Sequence, residues 1–127
     1  MKRHKPVLTR SELEIMQIIW RRRQVTVRDV YEELLEQRKV AYTTVMTMMG
    51  ILEEKGYLKK NRDDRAHVYR PAQPKGKVVS TMVNDFVDRV LEGSAKPLLM
   101  HLVESDRLSQ QELDEVARLM GEKKGGS

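Results

Sequence analysis

Apolar residues recur at three- and four-residue steps through the first part of the chain, with polar residues between them, and this spacing predicts helices. Leu13, Met16, Ile19 and Trp20 form one such stripe. Thr9-Arg10-Ser11-Glu12 has the form of a capping box at its start, and Ser11 to Glu14 offers a second register. Arg21, Arg22 and Arg23 crowd its last turn, where cations suit the negative end of the helix dipole. Residues 24–27 read as a brief extended piece. Thr26 with Asp29 starts a second helix, whose buried face is expected to hold Val27, Val30, Tyr31, Leu34 and Leu35, with Glu32, Glu33 and Glu36 facing out. A third helix is predicted from Tyr42 to Lys55. There Val45, Met48 or Met49, and Leu52 face the first two helices, while Thr43, Thr44, Met46, Thr47 and Gly50 fall on the other side. Gly56 suits the left-handed position that ends a helix.

The pattern then changes. Residues 57–60 and 67–70 are short β-compatible runs separated by a polar turn over 61–66, which reads as a hairpin ended by Pro71. Three short helices and a basic hairpin describe a winged helix-turn-helix. Residues 71–74 carry two prolines and mark a boundary, giving expected domains 1–72 and 73–127. A long helix over 75–92 follows, with Val79, Met82, Val83, Phe86, Val90 and Leu91 as its apolar stripe and Gly93 to close it. Pro97 suits the first turn of a shorter helix that carries Leu99 and Leu102 and ends near Glu104. Ser109 and Glu112 form a capping box for the last helix, Leu108 and Leu113 have the staple pattern, and Leu113, Val116, Ala117 and Met120 make its apolar face. The tail from Gly121 is expected to fray. The fold class is therefore mainly α with a small β-hairpin wing: an N-terminal winged helix-turn-helix plus a C-terminal helical lobe.

That second lobe is too small to bury its own stripes, and leaving them wet costs about 25 cal/mol per Å², so they either fold back on the winged helix or pair with a second copy. A proline-bearing joint before it favours pairing with a second copy. The expected dimer contacts are Val79, Met82, Val83, Phe86, Val90, Leu99, Leu102, Leu113 and Val116.

Composition narrows the function. The 127 residues are 34% charged and only 5% aromatic, which favours a helical, soluble protein. No apolar run reaches the roughly 18 residues of a spanning helix, and the basic start lacks a signal-peptide core, so membrane insertion is not expected and the cytoplasm is the expected location. There is no Cys, hence no disulfide or thiolate metal site. His4, His67 and His101 are scattered without ligand spacing. No catalytic triad order, phosphate-cradling glycine loop or paired carboxylates stand out, so neither an enzyme nor a cofactor is expected. The net charge of +5 is uneven: residues 1–72 carry 16 Lys/Arg against 10 Asp/Glu, and residues 73–127 carry 8 against 9. One end is suited to a polyanion, the other to a different task.

Double-stranded DNA is the expected polyanion. The turn leading the third helix offers Tyr42, Thr43, Thr44, Met46 and Thr47. A Thr hydroxyl bonds phosphate or base edges, and its methyl packs on thymine methyl. No Arg or Lys lies on the exposed face between residues 41 and 54, so bidentate guanine contacts are absent and specificity leans on thymine methyls, Met46 and DNA shape. Lys60, Arg62 and Arg65 read as a wing on phosphate or minor groove. Alternatively Arg62 and Arg65 pair with Asp63 and Asp64, contacts that contribute at most about 1 kcal/mol and can exchange for phosphate. Two other readings stay open: a winged-helix regulator controlled by a small ligand between the lobes, and a winged helix serving as a protein-interaction module.

LTRSELEIMQIIW, VTVRDVYEELLE, AYTTVMTMMGILEEKGYL, RDDRAHVYRP and LSQQELDEV, in that order and spacing, resemble the penicillinase-repressor family, the BlaI/MecI-like group related to CopY-type copper repressors. The resemblance covers about residues 7–122. It implies a homodimeric winged-helix repressor on a pseudo-palindromic operator with TACA/TGTA-type half-sites, dimerising through its C-terminal helices. It also implies a role in β-lactam or cell-wall stress response and antibiotic resistance, with release when a membrane sensor protease leads to cleavage of the dimerisation lobe. The staphylococcal Asn-Phe cleavage bond corresponds to His101-Leu102, so the same cleavage specificity is not supported. The CopY-type Cys-x-Cys motif is absent, which excludes copper sensing by that route. Some relatives carry basic residues where this chain has Thr43 and Met46, so the operator is open to change as well.

Overall fold

The computed structural model describes residues 8–63 and 66–125, without the side chains of 62, 63, 66 and 125. The order of elements is α1 (Arg10–Arg22), α2 (Val27–Leu35), α3 (Tyr42–Glu54), β1 (Leu58–Asp63), β2 (Ala66–Pro71), α4 (Lys75–Val90), α5 (Lys96–Glu104) and α6 (Gln110–Gly125). The described chain is mostly helical with one antiparallel hairpin, as the periodicity implies.

Local signals set the helix starts. Glu12 N–H donates to the Thr9 hydroxyl at 3.2 Å and Thr9 N–H to Glu12 Oε1 at 2.8 Å, so the first of the two candidate registers is the one used. Thr26 and Asp29 exchange the same bonds at 3.1 and 2.9 Å. Ser109 and Glu112 do so at 3.0 and 2.9 Å. The close of α3 is equally local. Gly56 sits at φ 89°, its N–H donates to Glu53 O at 3.0 Å, and Tyr57 N–H donates to Leu52 O at 3.0 Å, the paired bonds of a Schellman motif.

Ile15, Met16, Ile18 and Ile19 of α1, Val30 and Leu34 of α2, and Val45, Met49 and Leu52 of α3 make the centre of the core, joined by Val25, Tyr57, Leu58 and Tyr69. Three expectations change here. Leu13 and Trp20 are only partly buried, whereas Ile15 and Ile18 belong to the core, because α1 is covered by α2, α3 and β2 together rather than along one stripe. Leu35 is 43% exposed: it is the last residue of α2 and lies at the flank of the Val30–Leu34 face. Glu33 does not simply face solvent but takes Arg21 and Arg22 as partners.

The hairpin is longer than its composition suggests. Asn61 pairs with Val68, Arg62 with His67 and Asp63 with Ala66, so most of the expected polar turn is ladder. Leu58 and Tyr69 turn inward to the core while Asn61 and His67 are exposed, and backbone pairing on the solvated face does not require apolar side chains. Val25 adds a bridge, with Val25 N–H to Tyr69 O at 3.1 Å and Tyr69 N–H to Val25 O at 2.7 Å.

Packing divides the chain into units 1–82 and 83–127, inside α4, whereas the proline-bearing segment suggests a division after residue 72. Three contacts carry the first unit across those prolines. Trp20 Nε1–H donates to Gln73 O at 3.1 Å, Gln73 Nε2 donates to Gly56 O at 3.0 Å, and Val78 is buried in the core. In the second unit Val83, Phe86, Val90, Leu99 and Val116 are exposed, while Leu102 and Leu113 are half-buried. α6 runs to Gly125 rather than fraying from Gly121, since Glu122, Lys123 and Lys124 are good helix formers and the lysines suit its C-terminal turn. No helix among the described residues is long and apolar enough to cross a membrane.

Candidate nucleic-acid interface

α3 presents its uncharged face outward. Tyr42, Thr43, Thr44, Met46 and Thr47 are all exposed, and Ile51, at 38% exposure, extends the surface toward the helix end. Ala41 is the N-cap and supplies no side-chain hydrogen bond, so first-turn N–H groups remain open to water or phosphate. Among the described residues the hydroxyls of Thr43, Thr44 and Thr47 have no protein partner, unlike Thr81, which donates to Lys77 O at 3.0 Å. They are therefore not caps; the caps are Thr9, Thr26 and Ser109.

Both ends of α3 are held. At its start the Tyr42 ring meets Tyr31 edge-on, with centroids 5.3 Å apart and planes at 79°, and the Arg28 guanidinium lies 5.8 Å from the Tyr42 centroid. Arg28 is a cation that the pattern along the chain did not single out. It is exposed, it is paired only loosely with Glu32 at 3.5 Å, and the Thr26 cap fixes it in the first turn of α2 beside the first turn of α3. At the other end Lys55, the C-cap of α3, bonds Glu12 Oε1 and Oε2 at 2.8 and 3.0 Å. Glu12 is the one buried charged residue among those described, at 5% exposure. Burial acts to raise its pKa, but the Lys55 ammonium and the Thr9 hydrogen bonds outweigh this and hold it below the ordinary carboxylate value. Burial pushes the Tyr57 and Tyr69 hydroxyls upward, so both stay neutral at physiological pH.

Lys60 stands opposite Tyr69 in the ladder and pairs with Glu53 of α3 at 3.7 Å. This exposed pair contributes little to stability and is free to exchange for phosphate. Arg62 lies on β1, though its side chain falls outside the described residues; Arg65, with Asp64, lies outside them altogether. His67 is exposed on β2 and His101 on α5, and among the described residues no group of His, Asp or Glu is placed to hold a metal ion. The surface so assembled offers hydroxyls, methyl groups, open backbone N–H groups and flanking cations. It is suited to contact a polyanion and read groove edges rather than to move protons.

The sequence profile of the penicillinase repressor family matches residues 8–122. The transcriptional regulator BlaI of Mycobacterium tuberculosis is 36% identical over 117 residues, 91% of this chain and 83% of its own length. The penicillinase repressor of Bacillus licheniformis is 27% identical over 119 residues, covering 94% and 93%. The solution structure of monomeric B. licheniformis BlaI in complex with the blaP half-operator superimposes with a TM-score of 0.51 and 29% identity, over 57% of this chain and 89% of that one. With the winged-helix architecture and a match over nearly its whole length, the chain belongs to the penicillinase repressor family of DNA-binding transcriptional repressors.

Proposed function

We propose that the chain represses as a homodimer on a two-fold operator, each copy placing α3 in a major groove. The observation that carries this is the exposed, uncharged hydroxyl face of α3, flanked by Arg28 and Lys60. Thr43, Thr44 and Thr47 bond base edges or phosphates, Met46 packs on thymine methyls, and Tyr42 orders the leading turn. Arg28, Lys60, Arg62 and Arg65 supply phosphate contacts. Residues 1–72 read DNA and residues 73–127 join the copies, through Val79, Met82, Val83, Phe86, Val90, Leu99, Leu102, Leu113 and Val116.

Two observations support the second copy. The apolar stripes of the second unit are open to water: Phe86 is 44% exposed and Val90 60%. The B. licheniformis relative binds a half-operator as a monomer, and a full site built of two halves calls for two chains. Release then follows from separating the copies. A cut at His101-Leu102 by a membrane sensor protease, or by a protease it activates, severs α6 with Leu113 and Val116. That bond lies inside α5, so the protease must first unwind this helix. The place of action is the cytoplasm, where the operator is.

The test is a titration of duplexes carrying one or two half-sites, with the native chain and with Phe86→Asp. The native chain should bind the double site about a hundredfold more tightly than the single site. Phe86→Asp should abolish that advantage and leave single-site affinity unchanged. Equal affinity of the native chain for both duplexes would refute the dimer reading.

A further inference from the structure

Arg21, Arg23, Arg70 and Lys75 surround a solvent-open pocket of about 640 Å³ walled by Trp20, Pro71 and Pro74, with Gln17 completing the lining. We propose that this pocket binds a small organic anion: an oxyanion carried on a flat apolar group that lies against Trp20.

The lining holds four cationic side chains and no acidic one. Only Arg21 is neutralised, by Glu33. Arg70 donates to Gln24 Oε1 at 3.3 Å, a neutral partner that leaves its charge uncompensated. Arg23 and Lys75 have no ion pair among the described residues. Arg23 stands at φ 74° as the left-handed C-cap of α1. Between these charges lies an apolar surface of one indole and two proline rings. The indole is fixed, since Trp20 Nε1–H donates to Gln73 O at 3.1 Å. An apolar wall with a few convergent charges is the usual form of a small-ligand site. A bare inorganic anion would leave the wall unused, and a neutral ring would leave the cations unused.

The lining comes from α1, the end of β2 and the start of α4, and none of it from α3 or the outer part of the hairpin. Anion binding here is therefore distinct from DNA reading. A bound anion would touch the segment that leads from the hairpin into α4, through Pro71, Pro74 and Lys75.

Trp20 is the single tryptophan of the chain, so its indole N–H gives one resolved resonance in a proton–nitrogen correlation spectrum. The full chain is titrated with benzoate, its neutral isostere benzamide, and inorganic phosphate. Benzoate should shift the Trp20 resonance saturably, with benzamide and phosphate each about tenfold weaker or more, as expected from several partly screened charges acting together with ring contact. Arg23→Gln with Lys75→Gln should weaken benzoate about fivefold or more while leaving thermal unfolding and operator affinity unchanged. Equal binding of benzoate and benzamide, or no saturable shift, would overturn the proposal. So would a loss of operator affinity with a flatter salt dependence in the double variant, because the cations would then serve DNA phosphate.

Discussion

Removing Lys55 should destabilise the winged helix more than removing the charge of Glu12, although both break the same ion pair. The asymmetry comes from exposure. The Glu12 side chain is 6% exposed and that of Lys55 24%. In Glu12→Gln the amide still accepts the Thr9 N–H, since Gln serves in a capping box, and the stranded ammonium turns to water. The loss is that of hydrogen bonds to a charged group, discounted for solvent access, about 1–2 kcal/mol. In Lys55→Met the carboxylate stays buried with only its Thr9 bonds, and the cost should reach about 2–3 kcal/mol, the lower side of a broken buried pair. Each kcal/mol should lower the midpoint of this unit by about 4–8 °C. The double variant should recover part of the Lys55→Met loss, because no buried charge remains. Acid supplies a second check. Folding lowers the Glu12 pKa, so the pair's contribution is fully present above the unfolded carboxylate pKa and is lost as pH falls through the folded value. The gap between the native chain and Lys55→Met should therefore close on acidification. Thermal unfolding by circular dichroism at pH 7 and in the acid carboxylate range measures both. Lys55→Met no worse than Glu12→Gln at pH 7, or a gap that persists in acid, would refute the reasoning.

The other predictions concern DNA and assembly. Thr44→Ala should cut discrimination between operator and random DNA by about 1–3 kcal/mol while leaving random-sequence binding unchanged, as competition titrations would show. Arg28→Gln should weaken binding to all sequences alike and reduce the logarithmic salt slope by about 0.9 per chain, the signature of one lost phosphate contact. Val83→Asp should shift sedimentation equilibrium from dimer to monomer without moving the first unit's unfolding midpoint; an unchanged dimer would place the interface elsewhere on the second unit.

What the chain's pattern reveals is governed by distance along the sequence. The Thr9, Thr26 and Ser109 caps and the Gly56 stop all lie within a few residues of their partners, and spacing alone locates them. Stripes are less complete guides. Ile15 and Ile18 are buried because α1 meets three elements, which a single-face reading of α1 does not contain. Leu35 fits its stripe by spacing and is exposed because α2 ends there. The Glu12–Lys55 bond spans 43 residues and has no local trace; as a sequence feature Glu12 is only the second half of a capping box. Arg28 escapes notice for a similar reason, since its neighbour Tyr42 belongs to another helix. The uncharged outer face of α3, by contrast, is local: Tyr42, Thr43, Thr44, Met46 and Thr47 fall on one side of a helix whose other side is fixed by Val45, Met49 and Leu52.

The composition of α3 has a consequence for control. On the proposed reading, α3, which carries no Lys or Arg, draws no counterion-release energy of its own, and each chain's electrostatic grip would rest on Arg28 and the wing. With few phosphate contacts per copy, one half-site would be held weakly, and if the copies pair as proposed, occupancy of the operator would depend on the second copy raising the effective concentration of the first. On that reading the exposed apolar face around Phe86 and Val90 would matter to operator binding as much as Thr44. Stronger charge on α3 would let a single chain persist on its half-site after the copies part, and separation would no longer release the promoter. If the copies pair as proposed, the uncharged helix and the exposed C-terminal stripes would be two halves of one arrangement, in which affinity is placed where it can be withdrawn.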